Sequence, residues 1–202
     1  MIDTFSAGSA LDQFGAGTNS QTTIDISILG GERDEILTVP DLSGAEFFGM
    51  LGFNTQLAIA QGNSDEINGS LTYDNFSGFD MTQGGSNAAF QFYVTGNDAD
   101  FVLANALSIT VHSGLAHATA SVPIPASSSL PGNVLVPFSA FGGVDMTQLD
   151  SVQLGFDFAG MPGRDIDIGF FAATVPEPAS AAILPLVLTS LALRRRRHPS
   201  AA

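Results

Sequence analysis

Val152-Gln153-Leu154-Gly155-Phe156-Asp157-Phe158 alternates apolar residues with polar or small ones without a break. A period of two sends successive side chains to opposite faces of an extended chain, so this run reads as a strand with one buried and one wet face. The pattern recurs on either side of it. Phe90, Phe92 and Val94 alternate with Gln91, Tyr93 and Thr95, and Leu107, Ile109 and Val111 with Ser108, Thr110 and His112. Ile166, Ile168 and Phe170 alternate with Asp165, Asp167 and Gly169, and Ile24, Ile26 and Ile28 with Asp25 and Ser27. Turn pairs such as Gly30-Gly31, Asn68-Gly69, Gly84-Gly85, Ser113-Gly114 and Pro131-Gly132 separate the runs. No long stretch up to Ala173 has helical period. Many short half-wet strands predict an all-β antiparallel β-sandwich over residues 1–173.

The composition allows a substantial core: the chain has 202 residues, 45% of them hydrophobic, with sixteen Phe. It has no Cys, which excludes disulfides and thiolate metal sites. Charge divides unevenly. Ahead of Glu177 the cationic side chains are Arg33 and Arg164, against nineteen of the twenty acidic residues, a formal charge of −17. Nucleic acid is excluded as a partner, because its binding rests on Lys and Arg neutralising phosphates. The acidity reads either as solubility or as carboxylates for calcium outside the cell.

The C-terminus changes character. Val175-Pro176-Glu177-Pro178 leads into an uncharged apolar block over 179–193, and Arg194, Arg195, Arg196 and Arg197 follow it. As a helix, the block spans about 22 Å, short of the ~30 Å hydrocarbon core and close to signal-peptide apolar regions. The Arg cluster fixes orientation: positive charge stays cytoplasmic and the body lies outside. The expected organisation is a sandwich domain (1–173), a linker with the Pro-Glu-Pro motif (174–178), a short C-terminal transmembrane helix (179–193) and a cytoplasmic Arg-rich tail (194–202). Met1-Ile2-Asp3-Thr4-Phe5 carries no leader, while an exported acidic domain needs one, so a signal peptide is expected upstream.

Pro176-Glu177-Pro178, a short apolar helix and a terminal Arg cluster, in that order, strongly resemble the PEP-CTERM sorting signal. The resemblance covers roughly the last 28 residues. It implies an exosortase, a membrane enzyme that cleaves near Pro-Glu-Pro, as partner. It also implies transient residence in the inner membrane, release to the cell surface or matrix, and often export together with exopolysaccharide. Pro176, Glu177 and Pro178 would then be recognised, not catalytic.

The body carries a second, looser resemblance. Phe79-Asp80-Met81-Thr82, the strand around Phe90, Val134-Leu135-Val136-Pro137-Phe138-Ser139-Ala140-Phe141, and Asp145-Met146-Thr147-Gln148-Leu149-Asp150-Ser151-Val152 follow the order found in galactose-binding-like jelly rolls. The resemblance implies a jelly-roll-like fold. Because such domains often hold a structural calcium beside their termini, it also implies Asp3, Asp165 and Asp167 as candidate ligands.

Catalytic signatures are sparse. The chain has three His and shows no Gly-x-Ser-x-Gly elbow, no Cys nucleophile and no His-Glu-x-x-His motif. No cofactor is expected beyond that structural calcium. His112 and His117 flank Ser113-Gly114-Leu115-Ala116, and a hairpin there would set two imidazoles face to face. The acidic stretches Glu32-Arg33-Asp34-Glu35, Asp65-Glu66 and Asn97-Asp98-Ala99-Asp100 lack calcium-loop spacing. Tyr93 lies on the polar register of its strand and is the candidate glycan contact, in a chain with no Trp. The expected function is therefore an exported, exosortase-sorted surface or matrix protein with a non-catalytic body. The alternatives are a carbohydrate-binding module acting on exopolysaccharide and, behind it, a surface hydrolase.

Overall fold

The alternating runs fold as antiparallel strands in a computed structural model, which describes residues 1–14, 16–40, 48–53, 55–62, 66–97, 106–124, 127–161, 163 and 165–174. The strands are β1 (Leu11–Phe14), β2 (Gly17–Ile24), β3 (Glu32–Val39), β4 (Phe48–Phe53), β5 (Leu57–Gln61), β6 (Asn68–Tyr73), β7 (Ala89–Asn97), β8 (Leu107–Ser113), β9 (Ala116–Ser121), β10 (Gly132–Pro137), β11 (Ser151–Asp157) and β12 (Ile166–Thr174). They form two six-stranded sheets. The first has the order β1-β4-β5-β12-β7-β10 and the second β2-β3-β6-β11-β8-β9. Sequence neighbours are often in opposite sheets, as a jelly-roll-like sandwich requires.

The inner faces meet in one core. Leu51, Leu57, Ile59, Phe90, Phe92, Val94, Ile166, Ile168 and Phe171 enter from the first sheet, and Leu37, Leu71, Tyr73, Ile109, Val111, Val152 and Leu154 from the second. Phe92 stacks on Phe171 at 4.5 Å and 6°, and Phe90 meets Phe141 edge-on at 5.5 Å and 88°. Burying each such ring is worth about 1.5–3 kcal/mol. The Tyr73 ring reaches across the sandwich to 6.1 Å from Phe171.

One end of the core is polar. Arg33 is fully buried and ion-pairs with Asp3 and Glu35, and its guanidinium also donates to the Ala7 carbonyl at 2.9 Å. The Tyr73 hydroxyl donates to Asp3 Oδ2 at 3.1 Å, the Phe5 amide to Asp3 Oδ1 at 2.7 Å, and Thr23 to Glu35 Oε1 at 2.8 Å. The Arg33 guanidinium lies 4.0 Å over the Phe53 ring. Burial works against the Arg33 charge, but Asp3, Tyr73 and Glu35 outweigh it and raise its pKa. Burial, then the Asp3 charge, push the Tyr73 phenol well above its ordinary value, so it stays a donor. Asp3 also exchanges backbone hydrogen bonds with Phe171 of the first sheet, so this one residue ties both sheets together.

Two identical tripeptides, Asp80-Met81-Thr82 and Asp145-Met146-Thr147, build matching turns. Each Asp accepts from the backbone amide and hydroxyl of the Thr two residues on, while Met81 and Met146 are buried and joined by a 3.0 Å backbone bond.

The structure corrects the sequence at Ile24–Ile28. Strand β2 stops at Ile24, and Ile24 and Ile26 are exposed while Ile28 is buried. The Asp25 carboxylate accepts from the Ser27 amide at 2.8 Å, and this turn ends the strand that the alternation predicts. The predicted transmembrane helix at 179–193 lies outside the described residues, among which no helix is long and apolar enough to cross a membrane.

Candidate functional site: an aromatic pair on the outer face of the first sheet

The decisive local event is a break in register. Along β12 and β7, Asp167 faces Gly96 and Ile168 faces Val94, which leaves Thr95 as an extra residue on β7. Then Phe170 faces Tyr93, which leaves Gly169 as an extra residue on β12. Each irregularity is a β-bulge, which shifts the alternation of its strand by one. Phe171 therefore takes the inward place and is fully buried, while Phe170 turns outward and is only half-buried. This corrects the sequence pattern, which sets Phe170 on the buried side with Ile166 and Ile168. The available signal was Gly169 inside a strand, since such glycines often mark bulges or close approach. A Cβ at Gly169 would stand 3.0 Å from Tyr93 Cδ1 and 3.3 Å from Thr95 Cγ2.

The bulge brings the Tyr93 and Phe170 rings together on the outer face, with centroids 5.6 Å apart and planes at 11°. Tyr93, the residue expected to contact glycan, is half-buried there. Its cross-strand neighbour on β10 is Asn133, whose side-chain oxygen accepts from Gln91 Nε2 at 2.8 Å. Leu135 faces Gln91 and is exposed. Toward the other end of β7, Thr95 donates to Gln56 at 3.4 Å, and the Asp167 carboxylate lies over Gly96, 2.7 Å from where a Cβ would stand. Two near-parallel rings edged by two side-chain amides offer an apolar surface with donors and acceptors beside it, the usual make-up of a small-molecule site.

The other candidate residues lie elsewhere. Asp3 is buried and held by Arg33, Tyr73 and the Phe5 amide. It bridges to Phe171, whereas Asp165 and Asp167 flank the start of β12, roughly 13 Å or more away along an extended strand. Asp165 Oδ1 accepts from the Gln61 amide at 3.0 Å. The three carboxylates are thus not brought together as a calcium set. Asp3 answers a buried guanidinium instead, and no group of three or more His, Asp or Glu suited to a metal occurs among the described residues. Residues 98–100 and Asp65 of the acidic stretches lie outside the described residues, as do Pro176, Glu177, Pro178 and Arg194 to Arg197. His112 and His117 are direct cross-strand partners in the hairpin of β8 and β9.

No family model matches the chain, and no curated protein does. Solved structures of similar chain path include three carbohydrate-binding modules. One is the family 11 module of a cellulosomal cellulase of Clostridium thermocellum, at 13% identity and TM-score 0.43, covering 87% of this chain and 94% of that one. The family 30 module of another cellulosomal cellulase of the same organism gives 13% identity, TM-score 0.44 and coverage of 87% and 98%. A family 29 module gives 14% identity, TM-score 0.33 and coverage of 95% and 100%.

Proposed function

We propose that this chain is an exported, non-catalytic domain that binds neutral polysaccharide through the outer face of its first sheet, and that its C-terminal tail has it sorted by an exosortase. One observation carries the binding reading: the Tyr93–Phe170 pair, turned outward by the bulge at Gly169 and edged by Gln91 and Asn133. Sugar rings have apolar faces that lie on aromatic rings and hydroxyls that pair with side-chain amides.

Charge supports a neutral ligand. Among the described residues Arg33 is the one Arg or Lys, and it is spent inside the core on Asp3 and Glu35. Among the described residues no Arg or Lys is left to hold a uronate or sulfate, and Asp167 stands on the binding face. The sorting half of the proposal rests on sequence: Pro176-Glu177-Pro178, the apolar block and four Arg. A sugar-binding body released at the surface would meet the polymer exported with it.

The binding test is affinity electrophoresis of the full chain through gels holding neutral glucans, xylans or mannans, with alginate and pectin alongside. Retardation by at least one neutral polymer, lost roughly tenfold in Tyr93→Ala and in Phe170→Ala, is expected. Binding confined to the acidic polymers, or unchanged in both variants, overturns the reading. For sorting, replacing Pro176, Glu177 and Pro178 with Ala is expected to leave a full-length, membrane-retained protein. Unchanged cleavage and release would reduce the tail to an anchor.

A further inference from the structure

Two of the chain's three histidines form one structural pair. His112 on β8 and His117 on β9 are direct partners, with ring centroids 5.5 Å apart and planes at 24°. The hairpin closes through Gly114-Leu115, with Gly114 at φ 59. Its turn is pinned to the sheet. Asp150 Oδ2 accepts from the Gly114 amide at 2.6 Å, and the Asp150 amide donates to the His112 carbonyl at 2.9 Å. That last bond shows the His112 carbonyl pointing at β11, away from β9. His112 and His117 therefore form a non-hydrogen-bonded pair, the kind in which facing side chains come closest, with Cα atoms about 4.5 Å apart. His117 is exposed and His112 half-buried, so solvent and ions reach both rings.

A neutral imidazole offers one in-plane lone pair, and divalent Cu and Zn ions take imidazole readily. Two imidazoles on a rigid backbone at this separation can close on one such ion through small side-chain rotations, the exposed His117 moving most. Calcium and magnesium call for oxygen ligands instead. A body of formal charge −17 also concentrates cations near its surface. We propose that His112 and His117 make an exposed two-imidazole site for a borderline divalent transition-metal ion, with water in the remaining coordination positions. Copper(II) is favoured over zinc by the general order of stability. The site lies on the second sheet, apart from Tyr93 and Phe170, and does not rest on the sugar-binding reading.

The test is electron paramagnetic resonance of the full chain loaded with one equivalent of copper(II), with His198→Ala as background to remove the tail histidine. The expected spectrum shows superhyperfine structure from two imidazole nitrogens. In that background His112→Ala and His117→Ala should each abolish the two-nitrogen pattern and weaken copper affinity at least tenfold, with the thermal midpoint of the metal-free chain unchanged. Excess calcium should leave the signal intact. A spectrum without two imidazole nitrogens overturns the proposal, as does a signal that survives in the double variant His112→Ala, His117→Ala.

Discussion

The two outer faces of the sandwich share one scaffold and differ in chemistry. On the second sheet, the cross-strand rows read Thr22-Asp34-Thr72-Gln153-Thr110-Thr119 and Ser20-Ile36-Ser70-Gly155-Ser108-Ser121. Along the first row the polar groups pair across strands: Thr22 donates to Asp34 at 2.6 Å, Gln153 to Thr72 at 3.1 Å, and Thr110 and Thr119 bond at 2.8 Å. On the first sheet the corresponding surface holds Tyr93, Phe170 and Leu135 beside Gln91 and Asn133. The hydroxyl face carries one apolar side chain in these rows, Ile36, while the aromatic face gathers Tyr93, Phe170 and Leu135 in one patch. Regular alternation alone produces the hydroxyl face. The aromatic face needs irregularity, because with Gly169 in regular alternation, and no bulge there, the Phe170 ring would point inward with Ile168.

Breaking what the faces share should have the largest effect. Asp3 links β12 through its backbone to Arg33 and Tyr73 through its carboxylate. Asp3→Ala leaves a buried guanidinium without this partner, which costs about 3–5 kcal/mol. A chemical denaturation curve should show that loss, with both faces lost in one transition. Gly169→Val should act next, and on one face. Its new side chain must displace the Tyr93 ring, costing about 1–3 kcal/mol, and polysaccharide binding should fall while the β8–β9 hairpin keeps its amide spectrum. The double variant Thr110→Val, Thr119→Val alters the hydroxyl face alone. It should leave binding unchanged and stability within about 0.5 kcal/mol, checked by melting and affinity gels together.

Acid gives the mildest comparison. The Thr82 hydroxyl, then the Gly84 amide, lower the Asp80 pKa; the Thr147 hydroxyl and amide lower that of Asp145; and the Gly114 and Gly78 amides lower that of Asp150. A carboxylate whose folded pKa is depressed stabilises the fold above its unfolded value of about 3.9, and that contribution is lost as pH falls through the folded value. The thermal midpoint should thus be flat down to about pH 5 and fall below about pH 4. Asp150 holds the β8–β9 turn, so hydrogen exchange there should accelerate in acid before exchange around Tyr93 does. Asp150→Asn should remove that difference.

Much of the sandwich is legible in the sequence, because alternation with a period of two follows directly from the pleat. The runs at 90–94, 107–111 and 152–156 become β7, β8 and β11 with the expected sides buried. The pattern misleads where local hydrogen bonding or an inserted residue intervenes. Asp25 turns the chain out of β2, and Gly169 moves Phe170 across the sheet. Tyr93 could be singled out from its register, whereas its partner required knowledge of the bulge. Asp3 is a different case: the jelly-roll resemblance implies it as a calcium ligand, whereas the contact the structure shows is with the buried Arg33, thirty residues away in the chain and so not legible from local pattern.

The central claim is that the aromatic face, and not the hydroxyl face, meets sugar. Backbone and aromatic NMR shifts of the full chain, followed during titration with neutral gluco-, xylo- and manno-oligosaccharides, test it directly. The account predicts that at least one series shifts Tyr93, Phe170, Gln91 and Asn133, with Thr110, Thr119 and Gln153 unmoved. Shifts confined to Thr110, Thr119 and Gln153, or no shift with any series, would contradict it.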